Sequence, residues 1–172
     1  MKIARGDMWS QINKADAICI TTNGYVRKDG AAVMGRGCAK QATERFFGIE
    51  YKLGSAITKF GNRGIILTGI GKTNIVSFPV KKEYMICSDK KQIVYHMRKK
   101  FSLGDKIPGW ALIADLALIE KSAHMLVEAT TRRGWQSVSL PQPGCGAGEL
   151  SWTEVKPILD SILDDRFTIW TY

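Results

Sequence analysis

Residues 140–152 read Leu-Pro-Gln-Pro-Gly-Cys-Gly-Ala-Gly-Glu-Leu-Ser-Trp and join a short β-rich run to an amphipathic segment. From Trp152 to Ile162, apolar residues recur at helical spacing. Ser151 and, three residues later, Glu154 have the pattern of a capping box. The stretch therefore predicts a strand, a loop and a helix in succession, which is a unit of an α/β fold.

The loop in this stretch is almost bare backbone. Its glycines are Gly144, Gly146 and Gly148, with only the side chains of Cys145 and Ala147 between them. Exposed N–H groups next to a helix N-terminus favour binding of an anion. A tight turn that needs glycine is the alternative, and this loop alone leaves both interpretations open.

A second stretch of the same kind strengthens the anion-binding interpretation. Val33-Met34-Gly35-Arg36-Gly37 opens a predicted helix that carries Cys38, Ala39, Ala42 and Phe46. It follows, at a distance, the nearly all-apolar run 17–22, which is typical of a strand buried on both faces. Two glycine-containing loops at helix N-termini suit the two phosphates of a diphosphate.

Strands and helices alternate along the chain, and neither a repeat nor a linker interrupts them, so a single α/β domain over residues 1–172 is predicted. Strands are predicted at 2–5, 17–22, 65–70, 74–78, 137–140 and 166–170. Helices are predicted at 89–101, 111–132 and 152–162, with a brief helical turn at 8–13. Pro79 is expected to end its strand, and 102–109 is expected to be a loop.

In open α/β sheets, ligands bind beyond the carboxyl ends of the strands. This rule brings together Gly6-Asp7, Thr22-Asn23-Gly24, Pro79-Val80-Lys81 and the segment from Pro143 to Glu149. Asp7 and Asn23 suit hydrogen bonds to a base or a sugar. A nucleoside diphosphate derivative is therefore the predicted ligand class. The glycine patterns match neither a P-loop nor a dinucleotide-binding fingerprint.

Composition limits the remaining possibilities. The net charge of +9 favours a nucleic-acid contact or an anionic ligand, with simple solubility as the alternative. Four cysteines without C-x-x-C spacing and two histidines predict reduced thiols and no metal site. No signal peptide and no apolar run of roughly 20 residues is apparent, so a cytoplasmic protein without a membrane span is expected. The absence of heptads favours a monomer, and no cofactor is predicted.

Four features together resemble a macro domain, the ADP-ribose-binding module. They are Gly6-Asp7 after the first strand, the apolar strand that ends in Thr22-Asn23, residues 33–39, which are close to V-M-G-x-G-x-A, and residues 141–152. The last is similar to the P-x-x-G-C-G-x-x-x-L-x-W of one branch. That branch contains the DarG-type antitoxins that remove ADP-ribose from DNA, the human terminal ADP-ribose protein glycohydrolase and the yeast ADP-ribose-1″-phosphate phosphatase.

The resemblance implies a three-layer α/β/α sandwich around a mixed, mostly six-stranded sheet, with ADP-ribose or an ADP-ribosylated substrate as the partner. It implies that Asp7 contacts the adenine amino group, that Asn23 lies at the distal ribose, and that the glycine loops hold the diphosphate and this ribose. The implied ligand-binding residues are Asp7, Met8, Thr22, Val33, Met34, Gly35, Arg36, Gly37, Pro143, Gly144, Cys145, Gly146, Ala147, Gly148 and Glu149.

Asn23 and Lys81 are the implied catalytic residues. Phe78-Pro79-Val80-Lys81 is similar to the F-P-T-K context of the glycohydrolase lysine, and Lys82 is its rival. Cleavage at ribose C1″ requires stabilisation of an oxocarbenium-like centre and transfer of a proton. Asn23 would hold ribose hydroxyls or a water, and Lys81 would act as base or nucleophile. A surface lysine and a turn-forming Asn-Gly are the alternatives.

One position departs from the family pattern. The human glycohydrolase has an aspartate where this chain has Gly148, and the next acid, Glu149, is displaced by one residue. Two functions therefore remain open. The first is a hydrolase that removes ADP-ribose from nucleic acid or protein, or processes an ADP-ribose derivative. The second is a non-catalytic reader, or a protein that sequesters an ADP-ribose-derived nucleotide.

Overall fold

A computed structural model describes residues 1–171 and shows a six-stranded mixed sheet. Its strands are β1 (Lys2–Arg5), β2 (Ala17–Asn23), β3 (Ile66–Ile70), β4 (Thr73–Lys81), β7 (Val138–Pro141) and β8 (Phe167–Thr171). The order is β1-β8-β7-β2-β4-β3, and every neighbouring pair is parallel except β3 with β4. The carboxyl ends of five strands therefore lie at the same edge of the sheet.

Four α-helices flank this sheet: α1 (Gly37–Arg45), α2 (Ile49–Phe60), α3 (Leu116–Arg133) and α4 (Trp152–Ile162). Alternate residues of β2 face opposite layers. Ala17 and Cys19 belong to one core cluster with residues of α3 and α4, whereas Ile18 and Ile20 belong to another with residues of α1 and α2. The predicted three-layer α/β/α sandwich is confirmed. None of the helices in residues 1–171 has the length and apolar character that crossing a membrane requires.

The local sequence signals at the ends of the helices are confirmed. Ser151 accepts a hydrogen bond from the N–H of Thr153, and Ser151 and Glu154 complete the capping box of α4. Gly134, with a left-handed φ of 68°, ends α3 as expected. The brief helical turn is a 3-10 turn, Met8–Gln11.

The prediction that Pro79 ends its strand is wrong, because β4 continues through Pro79 to Lys81. The N–H of Ser77 points towards β3 and donates to Ile65, so the nitrogen of Pro79, two residues later, faces the same side. The pairing of β3 with β4 reaches only Val76. Pro79 consequently stands where the sheet needs no N–H donor, and proline is tolerated there.

The predicted helix over residues 89–101 is also wrong. Two 3-10 turns, Lys90–Gln92 and Tyr95–Lys100, occupy this stretch, separated by Ile93, which forms a β-bridge with Leu112. The expected loop at 102–109 contains a strand, β6 (Lys106–Pro108), which pairs with β5 (Tyr84–Ile86). Long-range backbone pairing has replaced the local helical pattern, although Ile93, Val94 and Met97 of that pattern are buried and Phe101 is partly buried.

One further helix begins later than predicted, and another was not predicted. The helix predicted from 111 begins only at Leu116, because Asp115 caps it by accepting a hydrogen bond from the N–H of Leu118. Leu112 packs instead in a third core cluster with residues 87–111. Helix α2 lies in a stretch for which no element was predicted, although Ile49, Leu53 and Ile57 recur every four residues.

Candidate functional site

A cavity of about 620 Å³ lies at the edge of the sheet where β2, β4, β7 and β8 end. This volume is typical of small-molecule sites, which span roughly 300–1,000 Å³. Most of the residues proposed from sequence line it: Thr22, Asn23, Val33, Met34, Gly35, Arg36, Gly37, Lys81, Gly144, Cys145, Gly146, Ala147 and Gly148. Segments far apart in sequence are therefore brought together as the strand-end rule predicts.

The first glycine loop, residues 33–37, ends where α1 begins. Gly37 has a left-handed φ of 56°, which suits glycine, and Arg36 occupies the N-cap position without a side-chain capping bond. The N–H groups of the first helical turn therefore keep their donor capacity for a ligand. Cys38 anchors this end of the helix to β2, since its Sγ accepts a hydrogen bond from the N–H of Thr21 at 3.3 Å.

The second glycine loop, residues 143–149, folds back on itself. The N–H of Leu150 donates to Gly144 at 3.0 Å, and the N–H of Glu149 donates to Gly146 at 3.0 Å. The N–H groups of Gly146, Ala147 and Gly148 find no acceptor among residues 1–171. Three consecutive free donors line the cavity, and this arrangement suits a phosphate.

Close packing explains why Gly148 bears no side chain. A Cβ at this position would lie 2.4 Å from the carbonyl oxygen of Gly144 and 2.7 Å from the Cβ of Ala114. The carbonyl of Gly148 also accepts a hydrogen bond from the N–H of Ala114 at 2.9 Å. An aspartate at this position would displace the loop, so the departure from the family pattern follows from how this loop packs.

Lys81 points into the cavity and is only 6% exposed. Its Nζ donates to the carbonyl oxygen of Ala147 at 2.7 Å and to that of Trp110 at 3.4 Å. Burial lowers the pKa of Lys81 from 10.5 to about 8; the charge of Glu149 opposes this shift and that of Arg36 adds to it. Lys81 is therefore a partly neutral amine close to neutral pH.

Lys82 lies differently. It is exposed, does not line the cavity and forms an ion pair with Asp115 at 2.8 Å. Strand β4 ends at Lys81, and the side chain of the next residue, Lys82, is directed to α3 rather than into the cavity. The geometry favours Lys81 over its rival.

The side chain of Asn23 makes hydrogen bonds to the segment that follows β2 and leads to the first glycine loop. Its Nδ2 donates to the carbonyl oxygen of Val33 at 2.8 Å, and its Oδ1 accepts from the N–H of Tyr25 at 3.0 Å. The amide thus connects the end of β2 to the first glycine loop. A further proton on Nδ2 and a further lone pair on Oδ1 remain for a ligand.

Four proposed ligand-binding residues do not line the cavity: Asp7, Met8, Pro143 and Glu149. Asp7 caps the 3-10 turn Met8–Gln11 by accepting a hydrogen bond from the N–H of Trp9. Met8 is 1% exposed and packs in the core next to α1. Pro143 is buried, and the carboxylate of Glu149 accepts a hydrogen bond from the N–H of Tyr95. Contact of these four with a ligand stays a prediction.

The insert, defined here as residues 84–113, provides a wall of the cavity whose individual residues were not among the site residues predicted from the sequence. Its contributions are His96, Met97, Lys100 and Trp110, while Trp170 and Thr171 come from the end of β8. The basic and aromatic character of the insert was visible in the sequence. Its position was not, because it depends on long-range pairing of β5 with β6.

No group of three or more His, Cys, Asp or Glu side chains within residues 1–171 is arranged to hold a metal ion. All four cysteines are free thiols. Burial raises the pKa of the Cys145 thiol on the second glycine loop to about 11, with the charge of Glu154 adding to the shift. This thiol is therefore protonated and a poor nucleophile at neutral pH.

No family model and no curated protein gives a significant match to the sequence. Solved structures do. The chain is similar to the macrodomain of Mycobacterium tuberculosis DarG, with 19% identity, a TM-score of 0.68 and coverage of 99% of this chain and 97% of that one. It is also similar to the macrodomain of Thermus aquaticus DarG, with 21% identity, a TM-score of 0.67 and coverage of 99% of this chain and 96% of that one.

A third similar structure is Thermosipho africanus DarTG in complex with ADP-ribose. Its identity is 20% and its TM-score 0.66, and the match covers 98% of this chain but 41% of that longer one. The similarity extends over nearly the whole chain. We conclude that this protein has the macrodomain fold.

Proposed function

We propose that this protein binds ADP-ribose in the 620 Å³ cavity and hydrolyses an ADP-ribosyl linkage there. The observation that carries the proposal is the pair of glycine loops with unpaired N–H donors on one cavity. Such donors bind a diphosphate with little preference for what is attached to it. The structural similarity to a macrodomain protein solved with ADP-ribose supports this particular diphosphate as the ligand.

In the proposed complex, the diphosphate lies between the N-terminus of α1 and the N–H groups of Gly146, Ala147 and Gly148. The distal ribose then lies near Asn23 and Lys81. Fixing this ribose in place lowers the barrier to attack at C1″, because positioning alone can account for roughly 7–11 kcal/mol at the extreme. Asp7 would meet the adenine beyond the rim of the cavity.

Lys81 supplies the chemistry in this proposal. An amine with a pKa of about 8 is neutral in about a tenth of the molecules at pH 7. The neutral amine accepts a proton from the attacking water, whose oxygen bonds to C1″ as the bond to the leaving group breaks. Alternatively, Nζ bonds to C1″ of the opened sugar, the leaving group departs from C1″ with a proton that Nζ loses, and water then hydrolyses the resulting imine and frees Lys81. Either role needs Lys81 inside the cavity, where its Nζ is held by two carbonyl oxygens.

A non-catalytic reader is the second candidate, and two observations favour it. The packing around Gly148 leaves no room for an acidic side chain at this position. The carboxylate of the nearby Glu149 accepts a hydrogen bond from the N–H of Tyr95. A reader needs only the diphosphate loops and the ribose contacts. The same geometry would serve a protein that sequesters an ADP-ribose-derived nucleotide.

Turnover of defined substrates separates the two candidates. We expect the protein to consume at least one of ADP-ribosylated DNA, ADP-ribosylated protein and ADP-ribose-1″-phosphate. Lys81→Ala should slow that turnover by about 10²–10⁴-fold, the usual effect of removing a general acid or base. Lys82→Ala is the matched control, because Lys82 lies outside the cavity. If no substrate is consumed and Lys81→Ala binds ADP-ribose as tightly as the wild type, the protein is a reader.

A further inference from the structure

The carboxylate of Glu149 connects two elements that are far apart in sequence. Both of its oxygens lie 2.9 Å from the backbone nitrogen of Tyr95. Tyr95 is the first residue of the 3-10 turn Tyr95–Lys100, and Val94 before it offers no side-chain cap. A residue of the second glycine loop therefore caps the turn that begins the cavity wall of the insert.

The backbone of Glu149 is strained in the conformation that makes this contact. Its φ is 58°, in the left-handed region, and Asn13 is the other non-glycine residue with a positive φ among residues 1–171. A non-glycine residue keeps such a conformation only where its surroundings determine it. The hydrogen bonds from its own N–H to Gly146 and from Tyr95 to its carboxylate provide that constraint.

The insert has a core of its own and few other links to this loop. Its buried residues form a cluster separate from the two clusters that flank the main sheet: Cys87, Ile93, Val94, Met97, Ile107, Ala111 and Leu112. The N–H of Ala114, directly after the insert, donates to Gly148, and Lys81 contacts the carbonyl of Trp110. At the turn Tyr95–Lys100 itself, the carboxylate of Glu149 makes the hydrogen bond that joins the turn to the loop.

We propose that Glu149 is a positioning residue that fixes the turn Tyr95–Lys100 against the second glycine loop and so sets the cavity wall formed by His96, Met97 and Lys100. The carboxylate thus acts on the ligand through the insert rather than by contact. This inference rests on the proposed function only as far as it concerns the ligand. The link between loop and turn stands on the hydrogen bonds alone.

The insert that Glu149 holds also reaches Lys81, because its residue Trp110 offers a carbonyl oxygen to Nζ of Lys81. A ligand that reaches Lys81 should therefore sense the loss of Glu149. A ligand that ends at the diphosphate should not. ADP-ribose and ADP form such a pair, since ADP lacks the distal ribose.

Amide hydrogen exchange without ligand tests the link directly. Glu149→Ala should raise exchange of the Tyr95 N–H and of the turn Tyr95–Lys100 by about tenfold, as expected when a charge-assisted hydrogen bond is removed. Glu149→Gln, which keeps one acceptor oxygen, should give a smaller change. The matched control is Glu154→Ala, which removes a carboxylate that caps α4 and leaves the turn untouched. Unchanged exchange at residues 95–100 in Glu149→Ala would overturn the proposal.

Calorimetry with the two nucleotides then tests the positioning role. Glu149→Ala should weaken ADP-ribose binding by about fivefold to tenfold, as for one lost polar interaction, and change ADP binding by less than about twofold. Glu149→Gln should restore part of the ADP-ribose affinity. Equal losses for both nucleotides, or none, would contradict the positioning role. If the wild type binds neither nucleotide, the proposed function fails while the exchange result still decides whether Glu149 holds the turn.

Discussion

Lys81 illustrates how a single residue links burial to function. Burial in the cavity removes its ammonium group from water, and the carbonyl oxygens of Ala147 and Trp110 replace only part of the lost hydration. Its pKa falls to about 8, whereas Lys82, one residue later, is exposed and paired with Asp115. The sequence F-P-V-K indicated which lysine to consider, and the position of Lys81 inside the cavity favours it over Lys82.

The pH dependence of turnover should report on Lys81. The neutral amine is the active form in the proposed mechanism, and it becomes populated as the pH rises through the folded-state pKa of about 8. Turnover should therefore increase up to about this pH and level off above it. Initial rates across the range, with Lys82→Ala as the control, measure this. A flat profile would show that Lys81 does not titrate in the step that limits the rate.

Substitutions of two glycines in the second glycine loop should differ in their effect on stability. Gly148→Ala would place a Cβ 2.4 Å from the carbonyl oxygen of Gly144, whereas Gly146→Ala meets no atom within 4 Å. We expect Gly148→Ala to lower the free energy of unfolding by about 1–3 kcal/mol, as overpacking does. Gly146→Ala should be neutral within about 0.5 kcal/mol. Urea unfolding measures both, and equal effects would contradict the packing described for Gly148.

Among the elements, those with local signals could be predicted from sequence and those made by distant pairing could not. The apolar run of β2 and the capping box of α4 are local, and both are confirmed. Residues 89–101 have apolar residues at helical spacing, but Ile93 pairs with Leu112 and the N–H of Val94 donates to Ala111. The apolar spacing therefore indicates which side chains are buried but not the backbone conformation, since the same spacing suits an α-helix and the observed 3-10 turns.

The candidate site divides in the same way. Both glycine loops, Asn23 and Lys81 could be identified because the motif and the strand-end rule are properties of the sequence. The individual residues of the wall formed by the insert could not, because their placement depends on long-range pairing such as that of β5 with β6 and of Ile93 with Leu112. The engagement of Glu149 with Tyr95 likewise depends on two segments meeting that no sequence spacing connects.

Asp115 couples α3 to the end of β4 and provides a test at the level of elements. Burial alone would raise the pKa of Asp115, but hydrogen bonds from Lys82 and from the N–H of Leu118 outweigh it and hold the pKa below its usual value. Asp115→Ala should cost about 0.5–2 kcal/mol of stability at neutral pH, the usual effect of losing an N-cap.

The sign of the pH dependence follows from the lowered pKa. The contribution of Asp115 is complete above the pKa of the unfolded chain and disappears as the pH falls through the folded-state value. The stability difference between wild type and Asp115→Ala, from urea unfolding at several pH values, should therefore shrink in acid. A difference that stays constant into strong acid would show that the carboxylate does not act through its charge.

For the whole molecule, the fold places its ligand-binding groups at one edge of the sheet. Five parallel strands end there, and the two glycine loops lead into α1 and α4 at the same edge. The insert lies outside the main sheet and adds a wall to the cavity. Its six basic and two acidic residues give it a net charge of +4, out of +9 for the chain. A nucleic-acid contact through this basic surface, the monomeric state and the cytoplasmic location stay predictions.

The most direct measurement of the central claim is isothermal titration of the protein with ADP-ribose. The glycine loops, Asn23 and Lys81 together predict one binding site per chain with a dissociation constant in the low-micromolar range. ADP should bind more weakly, because it lacks the ribose that would lie near Lys81. Absence of any heat of binding at millimolar ADP-ribose would contradict the assignment of the cavity and, with it, the proposed function.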